Sequence, residues 1–516
     1  MDQRPLRLPG ISAEAGYAVL LVVLSGAAAV LQGQDANIDL YRYRLYVGYA
    51  FVHGRLDQDL VPSALSTFLN PTLDSLHYLG ITHLPPRVFS FLLGSLQGLN
   101  AVLVLLLARA VLPSDRGGRL LAALAALVAA SGPTARSLLG TTLGDTTVSL
   151  PALGALLVAL RAAPGASARS AALRLLASGL LAGAAVGLKL TMAPAGIALA
   201  AVVAAGVASR TISIVAASCW LWGAVLGYLA VAGYWCLQLW ERFGNPLFPY
   251  LNQVFRSPYL PSVAIRDARW AAHGVVDYLS PPFDIARGLN ERLQEIPFRD
   301  LRYLLVVLAL LAWLVMRASG RRPPLSAGAR GLLIYFAAGY AIWALAFYYY
   351  RYASFLEFLA PLVLVVLVHA ASPSLAPRLL VGATLLVLVT SSVGSWGRRE
   401  FGERWFNVRL PPQAHEPGAL VLLDSPLSSF LIPYFPRATS FAGLEGTGST
   451  RLDELLAARV AAHEGGLFWL VSRGRPAEST SPEHLGLTVT DDCGLIRTGE
   501  GRWALCRVVR AGGPRH

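Results

Sequence analysis

The chain has 516 residues, of which 55% are hydrophobic and only 14% charged, and its mean hydropathy is +0.53. That composition excludes a soluble globular protein and fits a polytopic membrane protein with room for about ten helices. A net charge of +13 would suggest nucleic acid in a soluble chain. Here the arginines are spread over connections between apolar runs rather than gathered on one face, so topology accounts for them and no nucleic-acid partner is expected.

The opening MDQRPLRLPG has a basic start, and the apolar stretch after it is long and lacks a small-residue cleavage site. It reads as a signal anchor rather than a removed signal peptide. Apolar runs able to span a bilayer fall at 14–31, 88–112, 119–132, 147–161, 174–188, 192–209, 213–238, 302–316, 331–349, 355–371 and 377–395. The expected fold is therefore mainly α, with about 11 transmembrane helices, give or take one or two because some runs are short.

Arg109, Arg116 and Arg119, then Arg161, Arg169 and Arg174, then Arg210, then Arg317, Arg321, Arg322 and Arg330, and then Arg378 mark alternate connections. The short connections between them carry one positive residue each, Arg136 and Lys189. The positive side is the cytoplasmic one, which places the N-terminus inside. Both long loops, 32–87 and 240–300, and the tail from 396 to 516 are then extracytoplasmic.

The first loop is long for a connection between spanning helices and holds Asp35, Asp39, Asp57, Asp59 and Asp74 with four arginines and many tyrosines. A loop of this length and chemistry usually carries function, and it is read as the floor of an active site at the membrane surface. Asp39 comes soon after the first helix, in DANIDLYRYRLYVGYAF. A carboxylate among aromatics there can take the proton of a hydroxyl or amine as it attacks an activated sugar carbon. If 35–46 is helical, Asp35 shares a face with Asp39 and could couple with it or share a metal. Alternatively, one or both only cap a helix or pair with Arg42 and Arg44.

The second long loop is rich in Pro and aromatics, with turn signals at Gly244–Pro246 and Ser257–Pro258. The tail differs in character. Strand-like runs at Ala419–Asp424, Leu467–Ser472 and Arg502–Val509 alternate with helix-compatible stretches such as STRLDELLAARVAAHE. A small extracytoplasmic α/β domain over 396–516, beside a membrane module over 1–395, is expected. Cys219 and Cys236 lie in apolar runs and read as packing residues, whereas Cys493 and Cys506, in the tail, could form a disulfide outside the cytoplasm.

Three further residues stand at expected outer membrane boundaries. Asp145, in LGTTLGDTTVS, is costly there unless paired or functional, although Gly-Asp-Thr-Thr before an apolar run also reads as a helix start. Lys189, in VGLKLTMAP, is the only lysine in the chain. At that depth it could hold a lipid-linked phosphate and stabilise its departure, or merely snorkel to the interface. Arg351, in FYYYRYASFLE, could bind phosphate bidentately or pair with Glu357. His53, His77 and His83 show no metal-ligand spacing, and the chain has no GxSxG, phosphate loop or CxxC pair.

The large first loop, the Asp just past the first helix, the many spans and the soluble tail on the same side resemble the GT-C superfamily of integral-membrane glycosyltransferases. The series Asp39–Tyr43, Gly54–Ser63, Phe68–Pro71, Leu139–Asp145, Gly187–Thr191, Gly244–Asn252 and Arg351–Glu357 looks like a bacterial branch of it. That resemblance implies an inverting enzyme of the bacterial inner membrane, which moves a hexosyl or pentosyl unit from a polyprenyl-phosphate sugar donor to a glycan, lipid or protein acceptor during envelope glycan synthesis. Asp39 would be the base, with Asp35 or Asp145 assisting, and a divalent metal (Mg or Mn) could sit on Asp39 and Asp145. Lys189 and Arg351 would hold the donor phosphate. Tyr43, Arg44, Tyr46, Phe68, Asn70 and Glu357 would line the substrate groove. The alternative is a transporter or flippase of lipid-linked saccharides, which predicts internal repeats and mid-membrane polar residues. A structural subunit of an envelope-assembly complex is a third reading.

Overall fold

The structure, a computed structural model, describes residues 13–161, 167–265, 267–320, 325–446, 448–473 and 480–510. The basic N-terminal segment and the pair Arg321 and Arg322 lie outside them. The chain forms two compact units. One comprises 1–32, 90–228 and 269–395; the other comprises 33–89, 229–268 and 396–516.

The first unit is helical. Each of the eleven apolar runs is built on a helix. Among the described residues, seven helices are long and apolar enough to cross a membrane: Ala13–Leu31, Pro86–Val111, Ala168–Leu188, Leu190–Ala208, Ile214–Phe243, Ala327–Ala346 and Tyr350–Ala371. Asp145–Leu160 and Ala376–Thr390 are shorter apolar helices. Leu24, Leu221, Val315 and Leu385 are exposed on helix faces. Such faces suit acyl chains, not water. By contrast, Ser354–Ala371 is buried over nearly its whole length. A helix apolar on all sides belongs inside a bundle, and this one is its core.

Small residues set the tightest packing. Ala168–Leu188 lies against Ile214–Tyr228, and a Cβ placed on Gly179 or Gly183 would stand 2.0 Å from Trp220 O or 1.9 Å from Ala224 O. Reciprocally, one on Gly223 or Gly227 would meet Leu176 O at 2.3 Å or Leu180 O at 2.0 Å. Both helices thus carry Gly-x-x-x-Gly, and the backbones touch where lipid offers no hydrophobic drive for association. Gly183→Leu should lower stability by roughly 1–3 kcal/mol through overpacking against backbone that cannot move aside. Thermal unfolding in detergent would read this, with Gly382→Leu as control, since no atom lies within 4 Å of a Cβ built there.

The second unit contains a five-stranded sheet. Its order is Ser440–Gly443, Leu420–Leu423, Leu467–Arg473, Gly501–Arg510 and Leu487–Thr498. The first three strands run parallel, and the last two add antiparallel pairings. The three strand-like runs of the tail and its helix, Thr450–Ala462, are all present. Ser440–Gly443 and Leu487–Thr498 were not anticipated. The former is four small or aromatic residues, and in the latter Asp491–Asp492–Cys493–Gly494 interrupts the alternation where the ladder shifts register between Val489 and Cys493. Cys493 and Cys506 stand opposite each other on these two strands and form a disulfide.

The first loop is ordered by the tail. Leu60 bridges Ala442 at the sheet edge, and Gln34–Asp35 pairs with Arg398–Arg399. Arg55 grips Asp59 through two bonds of 2.7 and 2.8 Å and also donates to the carbonyls of Arg437 and Thr439. Asp59 in turn accepts from Phe441 N at 3.0 Å and Tyr46 Oη at 3.1 Å. Burial pushes the Asp59 carboxyl up from the usual range, and the Arg55 guanidinium pulls it back. The Arg-x-x-x-Asp spacing in GRLDQD is the sequence sign of this clamp.

Candidate functional site

In the first unit, three helix ends converge on one carboxylate. Gly144, at φ 84°, turns the chain into helix Asp145–Leu160, so Asp145 is its first helical residue and not its cap. A carboxylate is favoured there by the free N–H groups of the first turn. Lys189 closes helix Ala168–Leu188, and Arg351 lies in the 3-10 turn Tyr350–Ala353 before the core helix. Lys189 Nζ donates to Asp145 Oδ1 at 2.5 Å and to Leu143 O at 3.1 Å. Arg351 Nε stands 3.2 Å from Asp145 Oδ2. Of these side chains Asp145 is fully buried, whereas Lys189 keeps 16% and Arg351 9% of its surface exposed. Two cations facing one carboxylate make a net positive cluster in which Lys189 is partly exposed and Arg351 nearly buried, an arrangement able to stabilise added negative charge.

Aromatic rings line this cluster. Lys189 Nζ is 5.4 Å from the Tyr352 ring centroid, and the Arg351 guanidinium is 5.4 and 5.8 Å from those of Tyr349 and Tyr352. Their faces help hold two like charges together. The roles of Tyr349 and Tyr352 escaped the sequence reading, although the run FYYYRY was visible as an aromatic belt.

Glu357 does a different job from the one expected of it. It is wholly buried and accepts from Thr134 N and Ala135 N at 2.9 Å each and from Tyr350 Oη at 2.7 Å. The buried Arg302 attracts it across the same space and is itself held by Asp300 Oδ1 at 2.7 Å. Arg351 therefore turns to Asp145, while Glu357 anchors the short helix Pro133–Ser137 to the core helix.

The second unit holds the other expected residues. Asp39 is half-buried and immediately precedes a π-type turn, Leu40–Arg44, that runs into helix Leu45–Val52. Turns of this kind are frequent at functional sites because the wider ring re-aims side chains. Tyr43 Oη donates to Asp39 Oδ2 at 3.3 Å. Asp35 lies in a two-residue strand and not in this helix, so the shared helical face does not arise. Its carboxylate is buried and takes both oxygens' bonds from the Asn37 amide at 2.7 and 2.8 Å.

Arg44 is buried on Asp74 at 2.8 Å, and Arg42 pairs with Glu445 at 3.4 Å. Tyr46 is buried against Asp59. Phe68 is buried between Phe243 and Phe248, at centroid distances of 4.7 and 5.2 Å. Asn70 Oδ1 accepts from Thr72 N just before helix Thr72–His83, and its amide donates to Val231 O.

Among the described residues, no group of three or more His, Cys, Asp or Glu side chains is placed to hold a metal. Two cations already face the Asp145 carboxylate and would repel a divalent ion. Asp145 does not fit as a metal ligand, and no step is assigned to one.

No family model matches the sequence, and no curated protein matches it. Solved structures do. ArnT from Cupriavidus metallidurans bound to undecaprenyl phosphate matches at a TM-score of 0.55 and 14% identity, over 98% of this chain and 100% of that one. The apo state of the same protein matches at 0.56, with the same identity and coverage. The chain has the ArnT fold. The mainly helical membrane architecture with a small α/β tail, expected from the sequence, is the one it adopts, and with its apolar helices it is a multi-pass membrane protein. At 14% identity the ArnT likeness is one of fold.

Proposed function

We propose that this protein is an inverting membrane glycosyltransferase that takes one sugar from a polyprenyl-phosphate donor and passes it to an acceptor on the extracytoplasmic face. The observation that carries the reading is the cluster of Lys189 and Arg351 on Asp145, a net positive centre among aromatic rings at one end of a bundle of apolar helices. The fold shared with ArnT, whose structure holds undecaprenyl phosphate, supports it. The disulfide between Cys493 and Cys506 supports an oxidising, extracytoplasmic location for the tail.

In this scheme an acceptor hydroxyl or amine attacks the anomeric carbon from the side opposite the phosphate. The carbon–oxygen bond to phosphate breaks, and the leaving polyprenyl phosphate keeps the electron pair. Lys189 and Arg351 stabilise the negative charge gathering on it, and Asp145 holds the two cations in place. Asp39 takes the acceptor's proton, and the Tyr43 hydroxyl fixes the orientation of its carboxylate. The configuration at the anomeric carbon inverts.

The test is release of polyprenyl phosphate from a panel of lipid-linked sugars by the purified protein. Lys189→Ala and Arg351→Ala should each slow release by about 10²–10³-fold, the usual cost of losing one donor to developing negative charge. Wild-type turnover in both would end the phosphate assignment.

A further inference from the structure

A cavity of about 380 Å³ lies wholly within the second unit. That volume falls in the range of small-molecule sites, about 300–1,000 Å³. Its place in the sheet is informative. Leu420–Leu423 is the first strand in chain order, and the next two, Ser440–Gly443 and Leu467–Arg473, flank it on opposite sides. The connections therefore diverge at its C-terminal end, where open α/β sheets bind ligands. Asp424 and Ser472 line the cavity from the ends of two of these strands, and Glu500 and Trp503 line it from the last hairpin. The segment that carries Asp39 completes the wall through Ile38 and Tyr41.

The lining is mixed in a particular way. Tyr41, Trp396 and Trp503 supply broad ring surfaces, and the buried Trp503 Nε1 has no hydrogen-bond partner among the described residues. Two carboxylates are fixed in advance. Asp424 accepts from Ser428 Oγ and Ser472 N, both at 2.9 Å. Glu500 accepts from Tyr41 Oη at 2.6 Å and pairs with Arg399. Glu500 is paired with Arg399 and Arg502 also lines the wall, so the lining carries little net charge to favour an ion, and its several polar groups disfavour an apolar guest. A neutral, hydroxyl-rich ring suits both features, with its C–H face on the aromatics and its hydroxyls donating to oriented oxygens.

We propose that this cavity binds a neutral sugar ring of the acceptor glycan. Naming it the acceptor's rests on the transferase reading above; the sugar binding itself does not.

The experiment uses the full chain in detergent, with its disulfide intact, titrated by tryptophan fluorescence with the methyl glycosides of glucose, galactose, mannose, arabinose and N-acetylglucosamine. At least one should saturate with a Kd of about 1 mM or tighter. Asp424→Asn and Trp396→Ala should each weaken it at least tenfold, and inorganic phosphate should give no saturable change. Arg502→Trp, on an exposed lining position, should block the same sugar without touching the core. Should no glycoside bind, or should all three variants bind as wild type does, the proposal is overturned. Undecaprenyl phosphate binding, measured alongside with Lys189→Ala, reports on the transferase reading separately. If that variant keeps its lipid-phosphate affinity while sugar binding behaves as expected, the donor assignment fails and the cavity assignment stands.

Discussion

Asp39→Asn is expected to cut sugar transfer by about 10²–10⁴-fold while leaving donor binding intact, since general-base assistance contributes on that scale. Asparagine keeps the shape of the side chain and its place before the π-type turn, and can still meet the Tyr43 hydroxyl, but it cannot accept the acceptor's proton. Initial rates at saturating donor, with the donor's affinity measured alongside, separate the two effects. Activity within a few-fold of wild type would remove Asp39 from the chemistry. Tyr43→Phe should fall much less, because it loses one orienting bond and no proton acceptor.

The second large effect is structural. Glu357→Ala is expected to cost roughly 3–5 kcal/mol, the range seen when one partner of a buried ion pair is removed. Alanine would strip the N–H groups of Thr134 and Ala135 and the Tyr350 hydroxyl of their acceptor, and leave Arg302 buried with Asp300 alone. Glu357→Gln keeps part of the bonding and should fall between. Thermal unfolding of the purified variants in detergent checks both. An unchanged midpoint for the alanine variant would show that the network contributes no net stability. Because Tyr350 precedes Arg351 in the chain, the same variant should also slow turnover in whatever fraction remains folded.

How each candidate residue fared follows from the reach of its interactions. Asp145 stands out in the sequence because a charge at a membrane boundary is expensive, Lys189 as the only lysine, at such a boundary, and Arg351 because its fork suits a phosphate. The sequence could not pair them, since they lie 44 and more residues apart and the alternative offered for Arg351 was its neighbour Glu357. The convergence of three helix ends decided the partners. Asp35 and Asp39 show the reverse. Their spacing of four suggested a shared helical face, yet Gln34–Asp35 is drawn into a ladder with Arg398–Arg399, residues of the tail. A strand partner more than 360 residues away overrides a local helical preference.

Local physics determined what could be read directly. Runs of apolar residues in lipid specify helices, because an unpaired backbone group there is too costly for any other conformation. A helix is built on each of the eleven runs, and among the described residues seven helices are long and apolar enough to span. The tail's three strongest strand-like runs and its helix were equally legible, since burial on a sheet demands their pattern. Tertiary structure alone decided that the first loop folds with the tail through Arg55, Asp59 and Leu60. It alone also decided that Glu357 is an anchor, and that Asp424 and Trp503 meet Tyr41 around one cavity. Those outcomes depend on contacts between residues remote in sequence, and the cost of closing such loops is recovered only when the whole unit has assembled.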